Sequence, residues 1–316
     1  MKEELFISGR HIPNIDPHLH IWHWPISVYL FLGGLAAGVL FFAALVTLLG
    51  KEKEMTGVVK RATIVVPIAL SFGLIFLIYD LKNPLYSWQL YLTLRLESPM
   101  SWGAWILLLV TPISFLWTIG YFKEYFIYWD WEKGIWKYVS IFIDYINKYR
   151  KVLAWILIPS TIILGIYTGI LLSAFNARPL WNNAILGPLF LTSGLSTGAA
   201  LIILVSASHK ERRMFSIIDL ILIIIELFLI THLIMGFYAG PQVQQEAAKL
   251  LMGGEFTIMF WVFVVILGLA IPAIMEIMEL AGLRIPVAVP VLLVLLGGLI
   301  FRFVMVDAGQ LTRYLY

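Results

Sequence analysis

Residues 26–49 read ISVYLFLGGLAAGVLFFAALVTLL and contain no charged side chain. At 1.5 Å per residue, a helix of this length spans about 36 Å, which exceeds the roughly 30 Å hydrocarbon core of a bilayer. The whole chain has the same character, because 61% of its 316 residues are hydrophobic and only 13% are charged, against about 25% charged residues in soluble domains. The composition therefore predicts an integral membrane protein and excludes a soluble globular enzyme.

Seven further apolar runs follow, each bounded by charged or Gly/Pro-rich breaks. The eight runs lie near 26–49, 60–81, 101–122, 151–173, 183–206, 216–238, 256–280 and 286–305. They predict an all-α integral membrane fold with eight transmembrane helices, organised as one domain over 1–316. Its principal partner is the lipid bilayer, and no nucleic-acid partner is expected at a net charge of only +3.

Basic residues are distributed unevenly between the two sides of this arrangement. The first, third, fifth and seventh loops carry 14 of the 22 lysines and arginines, and short basic loops stay cytoplasmic during insertion. We therefore predict both termini outside a prokaryotic plasma membrane. The predicted segments are an outer N-terminal segment 1–25, helices one to three in 26–122, a cytoplasmic interfacial loop 123–150, helices four to eight in 151–305, and an outer tail 306–316.

Two features of the sequence concern packing and the membrane surface. The first and fifth spans contain similar stretches, with glycine pairs at Gly34 and Gly38 and at Gly194 and Gly198. Small residues four apart permit close helix contact. The similarity of the two stretches also leaves open that the chain arose by duplication of a four-helix bundle. Loop 123–150 mixes many aromatic residues with charged ones, which predicts one or two interfacial helices.

Several polar residues gather near the predicted outer side. They are His23, Tyr29, Asp80, Tyr167 and Arg302. A quinone head group needs hydroxyl or imidazole groups for its carbonyls, proton-exchanging groups near water and an apolar opening for its tail. The plainer alternatives are interfacial aromatic residues, helix caps and a snorkelling arginine. Because an ionisable residue within a span is by default a functional candidate, the shared depth of these residues favours a quinone site.

Acidic residues inside the spans predict a route for protons. Asp219 and Glu226 are seven apart on the sixth span and so share a face, with His232 expected near that stripe further out. Glu276 lies toward the cytoplasmic end of the seventh span. Buried acids of this kind carry protons in membrane pumps.

Metal-based electron carriers are not expected within this chain. It has no cysteine, which excludes a cysteine-held iron-sulfur cluster. Haem usually requires paired histidines on facing helices, whereas only His232 of the six histidines lies well inside a span. Any metal centre must therefore belong to a partner.

The motifs, taken together, resemble the NrfD/PsrC family over essentially the whole chain. The resemblance rests on separated stretches in the same order, namely Trp22-His23-Trp24, YLFLGGLAAG at 29–38, DLKNP at 80–84, SPMSWGAW at 98–105, Tyr167, NARPLWN at 176–182, Arg302 and DAGQ at 307–310. Members of this family are membrane subunits of polysulfide reductase-like molybdoenzymes, formate-dependent nitrite reductase and alternative complex III.

The resemblance implies a specific arrangement. It implies two four-helix bundles without haem or metal, menaquinone or a related quinone near the outer face, and an iron-sulfur partner subunit that leads to a catalytic subunit, a molybdopterin enzyme or a multihaem cytochrome. Tyr167 matches a tyrosine that contacts a quinone carbonyl, and Asp80 matches an acid at the end of the second helix. Tyr29 stands where relatives carry histidine.

One contact of the polysulfide reductase subgroup is not matched. Ile26 falls near a position at which that subgroup has asparagine, so Ser27 or His23 is expected to take its place. The outer loops 82–100 and 239–255 are the expected docking surface for the partner. Two other functions remain open from the sequence: a secondary transporter with a midplane site at Asp219, Glu226 and Arg302, and a membrane anchor without quinone chemistry.

Overall fold

The computed structural model describes residues 22–312, and within that range it contains eight helices long and apolar enough to cross a membrane. The predicted all-α fold with eight spans is thereby confirmed. In chain order the helices are α1 Trp24–Leu48, α2 Gly57–Asp80, α3 Pro99–Ile119, α4 Arg150–Ser173, α5 Leu186–Val205, α6 His209–Ala239, α7 Met259–Leu280 and α8 Ala288–Leu311. The start of α2, Gly57–Ala62, and the first half of α7, Met259–Ala270, are π-helical.

Two helix ends differ from the prediction. The last helix is longer than predicted, because α8 continues to Leu311 rather than ending near 305. The side chain of Arg178 donates to the carbonyls of Gln310 and Thr312, at 2.7 and 2.8 Å, and so binds carbonyls that a helix end leaves without partners. At the other side, α6 begins at His209, seven residues before the predicted 216.

The early start of α6 has a similar cause. Glu211 is buried, and its carboxylate accepts the backbone N–H groups of Val58 at 2.8 Å and Gly57 at 3.3 Å. A carboxylate at a helix N-terminus satisfies free N–H groups and complements the helix dipole. A Cβ at position 57 would lie 2.8 Å from Glu211 Oε2, so a larger residue there would displace this carboxylate. The first turns of α6 are therefore held against the start of α2.

Helix α1 lies at the centre of the packing, where it contacts α2, α4, α5 and α8. Around it, α2 packs on α3 and α3 on α4, while α5 packs on α6 and on α8, and α7 packs on α8 and on α6. These neighbours suit a grouping of α1–α4 and α5–α8 as two four-helix bundles, which stays a prediction. The surface between the two sets is formed mainly by α1 and α4 against α5.

The glycine pairs of α1 and α5, Gly34 and Gly38 with Gly194 and Gly198, pack against each other. A Cβ on Gly198 would lie 2.7 Å from the carbonyl carbon of Gly38, and one on Gly194 would lie 2.9 Å from the carbonyl oxygen of Gly34. Since real side chains do not approach backbone atoms this closely, only glycine permits this crossing of α1 and α5. The predicted close helix contact is confirmed.

The loops contain short helices. Within 123–150 the structure has the helix Ile135–Lys148, whose apolar side buries Ile143 and Ile146, preceded by the turn Phe122–Tyr125. Between α2 and α3 there are the short helices Pro84–Tyr86 and Gln89–Leu92, and between α6 and α7 the helix Gln242–Lys249. The last three of these short helices lie at the same end of the membrane helices as His23, which is called here the His23 end. The opposite end carries Lys60 and is called the Lys60 end.

Candidate functional site

An imidazole and a carboxylate meet at the His23 end. His23 precedes α1 and Asp80 is the last residue of α2, and His23 Nδ1 lies 3.0 Å from Asp80 Oδ1. The imidazole is 65% exposed, whereas the carboxylate is only 6% exposed. Because His23 hydrogen-bonds to a shielded acid while facing outward, the pair can pass a proton between solvent and the interior.

Two tyrosines are buried below this pair. Tyr29 on α1 is 2% exposed and Tyr167 on α4 is 6% exposed, and their hydroxyl groups are close enough to interact. The Tyr29 hydroxyl nevertheless completes no hydrogen bond with any group in residues 22–312. A buried hydroxyl without a partner costs free energy unless a ligand or water satisfies it. This group is therefore available to a bound carbonyl.

The phenol rings are positioned by glycines on the two neighbouring helices. Gly103 on α3 leaves room for Tyr167, because a Cβ at position 103 would overlap the tyrosine ring and hydroxyl. On α2, Gly73 lies beside Tyr29, where an added Cβ would be 3.5 Å from Tyr29 Cδ2. Tyr91, from the short helix after α2, also interacts with Tyr29. All of α1, α2, α3 and α4 thus contribute to the tyrosine site.

The depth of the tyrosine site follows from helix geometry. Tyr29 is six residues beyond His23, or about 9 Å along the axis. Ser27 lies between them, fully buried, and its hydroxyl has no hydrogen-bond partner within the described range. Two buried hydroxyl groups without partners, a second tyrosine and an imidazole–carboxylate pair therefore follow one another from the interior to the surface.

The most distinctive aromatic motifs stabilise the same end of the molecule. The backbone of Trp22 exchanges two hydrogen bonds with the Gln310 side chain, at 2.8 and 2.9 Å. The Trp22 ring packs on Trp181 and Phe175, and Trp181 Nε1 donates to the Met305 carbonyl at 2.7 Å. The start of α1 is thereby joined to the end of α8 and to the segment after α4, so these residues position the site without entering it.

A second group of polar residues is buried among α5, α6 and α8. Arg302 is fully buried; its guanidinium donates to Ser193 Oγ and to the carbonyl of Gly298 at 3.1 Å. The guanidinium also lies 5.0 Å from the ring centroid of Phe190. Glu226 on α6 is 2% exposed and interacts with both Ser193 and the charge of Arg302. Ser193 therefore connects the buried acid to the buried cation.

Two more carboxyl groups extend this group toward the Lys60 end. Asp219 Oδ1 accepts a hydrogen bond from Ser196 at 2.6 Å. The Asp219 carboxyl interacts with that of Glu276 on α7, although Asp219 Oδ2 and Glu276 Oε2 complete no hydrogen bond in the described range. Asp219 also interacts with Glu226. A continuous polar series thus leads from Glu276 to Arg302.

The structure corrects two placements. The sequence predicts Arg302 near the outer end of the last helix, but α8 continues for nine residues beyond it. Arg302 therefore lies about 14 Å along the axis from the end of α8, where it contacts Ser193 and Glu226 rather than the tyrosine site.

The sequence also predicts His232 near the buried acids, but its side chain is exposed and stacks on Phe228 at 6.1 Å. Six residues beyond Glu226 is a rotation of about 240°, so His232 points away from the buried acids.

Three contributors were not identified from the sequence as site residues. Ser193 and Ser196 were missed because single serines in an apolar helix usually serve packing or bond to their own backbone. Their spacing of three places both on one face, which was a usable signal. Gly103 belongs to a recognisable motif, but a glycine has no side-chain chemistry that would indicate its role. Among residues 22–312, no group of three or more histidines or acids is arranged to hold a metal ion.

The family model and three known proteins each match this chain over nearly its whole length. The profile of the family "Polysulphide reductase, NrfD" matches residues 13–313. The C subunit of polysulfide reductase from Wolinella succinogenes is 31% identical over 92% of this chain and 94% of its own length. Protein NrfD of Escherichia coli is 30% identical over 92% and 96%. The NrfD homolog of Haemophilus influenzae is 28% identical over 96% and 97%.

Proposed function

Because the chain belongs to the polysulphide reductase NrfD family, we propose that it is the quinone-handling membrane subunit of a respiratory oxidoreductase complex. The observation that carries the proposal is the buried pair of tyrosine hydroxyls, in which Tyr29 interacts with Tyr167 without completing a hydrogen bond of full geometry. A menaquinone or related quinone supplies two-electron, two-proton redox chemistry when bound. The chain itself supplies the binding site and the protons.

Each residue of the tyrosine site has a proposed task. Tyr167 and Tyr29 donate hydrogen bonds to a quinone carbonyl, whereas Ser27 is two residues from Tyr29 and so faces another side of α1. Asp80 and His23, joined at 3.0 Å, exchange protons between the head group and the surface. Burial of the tyrosines excludes water, which strengthens these hydrogen bonds.

The electrons pass to or from a partner. Because this chain has no cysteine, we assign the electron acceptor to an iron-sulfur subunit, followed by a catalytic subunit of the molybdopterin or multihaem type. The docking surface is proposed at the His23 end, in loops 82–100 and 239–255. Large apolar side chains stand out from the first of these loops, including Leu85, Leu92 and Leu96 at 85%, 74% and 70% exposure, which suits coverage by another subunit. From the excess of basic residues in the opposite loops, we propose that this end lies outside a prokaryotic plasma membrane.

Replacing Tyr167 with phenylalanine tests the quinone site. Tyr167→Phe keeps the ring beside Gly103 but removes the hydroxyl group, so we expect kcat/KM for quinol in the assembled complex to fall about 5- to 10-fold, as for one lost hydrogen bond. Tyr79→Phe is the matched control, because Tyr79 is 75% exposed at the same end and should leave the kinetics unchanged. Equal kinetics for wild type and Tyr167→Phe would contradict the assignment of Tyr167.

Purification tests the complex itself. Extraction in mild detergent should recover the chain with an iron-sulfur subunit and with bound quinone, identified by mass spectrometry of the proteins and of a solvent extract. Recovery of the partner without quinone would favour a membrane anchor. Recovery of neither would contradict the proposed function and favour the transporter interpretation, in which Asp219, Glu226 and Arg302 bind a substrate.

We propose further that the buried acids conduct protons. Glu276, Asp219 and Glu226 succeed one another from the Lys60 end to the middle of the protein, with Ser196 and Ser193 beside them. Carboxyl and hydroxyl groups in contact within an apolar interior can pass protons where water cannot enter. His232, which faces outward, has no part in this route.

Glu226→Gln should interrupt this route at its inner end. The amide keeps the shape and a hydrogen bond with Ser193 but cannot release a proton, so we expect the number of protons translocated per electron to fall by at least half in proteoliposomes. Thr231→Val is the matched control, since Thr231 is exposed on the same helix. Should only thermal stability change, the acid is structural and the route is wrong.

A further inference from the structure

A cavity of about 450 Å³ lies at the Lys60 end, between the first turns of α6, the end of α7 and the segment before α8. Three arginines line it, Arg212, Arg213 and Arg284, together with His209. Glu279 is the one acid among its lining residues. The cavity therefore carries a net positive charge, and its volume lies within the range of small-ligand sites.

Two of the positive charges in this cavity have no partner within the described residues. The side chains of Arg213 and Arg284 are exposed, and neither makes a hydrogen bond or ion pair within residues 22–312. Other basic side chains at this end do find acids, as Lys123 does with Asp144 at 2.6 Å. Two unpaired guanidinium groups directed at one cavity favour an anionic ligand, since guanidinium geometry matches phosphate oxygens.

Two buried polar atoms at the cavity also lack partners. Ser216 is 1% exposed and lines the cavity, and its Oγ has no hydrogen-bond partner among the described residues. Arg212 donates through Nη2 to the Ser206 carbonyl at 3.1 Å, while its Nε is buried without a partner. Buried donors are normally satisfied. The unused hydroxyl and guanidinium donors are those that an anion in the cavity would bind.

From these features we propose that the cavity is a binding site for a phosphoryl group, carried by the head group of an anionic phospholipid or by a free phosphate. Arg213 and Arg284 bind the charge at the open side, and Arg212 and Ser216 bind phosphate oxygens at the inner side. The α6 N-terminus adds the positive end of its dipole. The site is separate from the tyrosine site at the opposite end.

The apolar part of the lining favours the lipid as the source. Leu283 and Ile285 belong to the same cavity as the arginines, and Leu283 is 54% exposed. On α7, Ile277 is 52% exposed and adjoins the helix end that closes the cavity. Basic pockets between membrane helices bind anionic head groups while the acyl chains follow apolar helix surfaces.

Lipid retention by the purified complex tests the proposal. The delipidated complex is titrated with cardiolipin, phosphatidylglycerol or phosphatidylcholine and examined by native mass spectrometry, for wild type, for Arg213→Gln/Arg284→Gln and for the control Lys51→Gln/Lys53→Gln. Each lost arginine should weaken anionic binding about 5-fold, so the double variant should bind about 25-fold more weakly. The control pair lies on the same end, outside the cavity, and should bind as wild type does.

A parallel titration with inorganic phosphate, followed by thermal stabilisation, distinguishes the source. Arginine-dependent binding of anionic lipid without binding of phosphate supports a phospholipid site, and arginine-dependent stabilisation by phosphate alone supports a free-anion site. The proposal is overturned when neither ligand discriminates the arginine variant from wild type, or when the lysine control loses as much affinity. Unfolding temperatures without added ligand should be equal for all three proteins, because the replaced side chains are exposed.

Discussion

Gly103→Ala is expected to lower quinol turnover of the assembled complex by about 100-fold. The added Cβ would overlap the ring and hydroxyl of Tyr167, and the contact is with the rigid phenol rather than with a flexible side-chain end. Either α3 or the tyrosine must move by about 1 Å, and a displacement of that size in a positioned group can cost about two orders of magnitude. Steady-state kinetics with a soluble quinol analogue measure the effect.

Gly73→Ala is the matched control for that variant. It adds the same methyl group beside the other tyrosine, but at 3.5 Å from Tyr29 Cδ2, which is ordinary van der Waals contact. We expect less than a 3-fold change for Gly73→Ala, with equal recovery of complex for both variants. A Gly103→Ala protein that turns over quinol at the wild-type rate would show that the position of Tyr167 does not matter to the reaction.

The spans were predictable because their cause is local. A run such as 26–49 is long enough and apolar enough to require the bilayer regardless of the rest of the chain. Helix ends were less predictable, since distant residues determine them. The end of α8 depends on Arg178, more than 130 residues away, and the start of α6 on contacts with Gly57 and Val58.

The tyrosine site was predictable in part. Helices α1 and α2 run in opposite directions, so His23 at the start of α1 and Asp80 at the end of α2 are predicted at the same end. Counting residues from the helix ends likewise predicts a similar depth for Tyr29 and Tyr167. The depth of a residue does not show which helices are neighbours. The 3.0 Å contact of His23 with Asp80 and the space that Gly103 leaves for Tyr167 can therefore be seen only in the three-dimensional structure. Helix rotation was equally decisive, because it separates the exposed His232 from buried Glu226.

The same packing divides the polar residues into two groups. The sequence predicts Arg302 near the same surface as the tyrosines, whereas its contacts are Ser193 and Gly298 at mid-depth. One group lies near the His23 end, where we propose that it binds a quinone, and the other forms an internal series that ends at the buried Arg302. The division has an energetic consequence, because a buried acid and a buried arginine must compensate each other.

Arg302→Met should therefore lower the free energy of unfolding by about 3 to 5 kcal/mol, the usual cost of removing one partner of a buried charge pair. Methionine fills much of the volume but leaves Glu226 without a neighbouring cation and Ser193 without its donor. Thermal unfolding or pulse proteolysis in detergent measures the change. The loss should appear as a lower unfolding temperature and reduced recovery of folded protein.

The double variant separates charge from packing. Arg302→Met/Glu226→Gln removes the acid as well as the cation, so it should recover most of the stability lost in Arg302→Met. Glu226→Gln alone should cost less than Arg302→Met, because Arg302 keeps Ser193, the Gly298 carbonyl and the Phe190 ring as partners. If the double variant is as unstable as the sum of the two single ones, the two charges do not interact, and the internal series ends at Glu226 without the arginine.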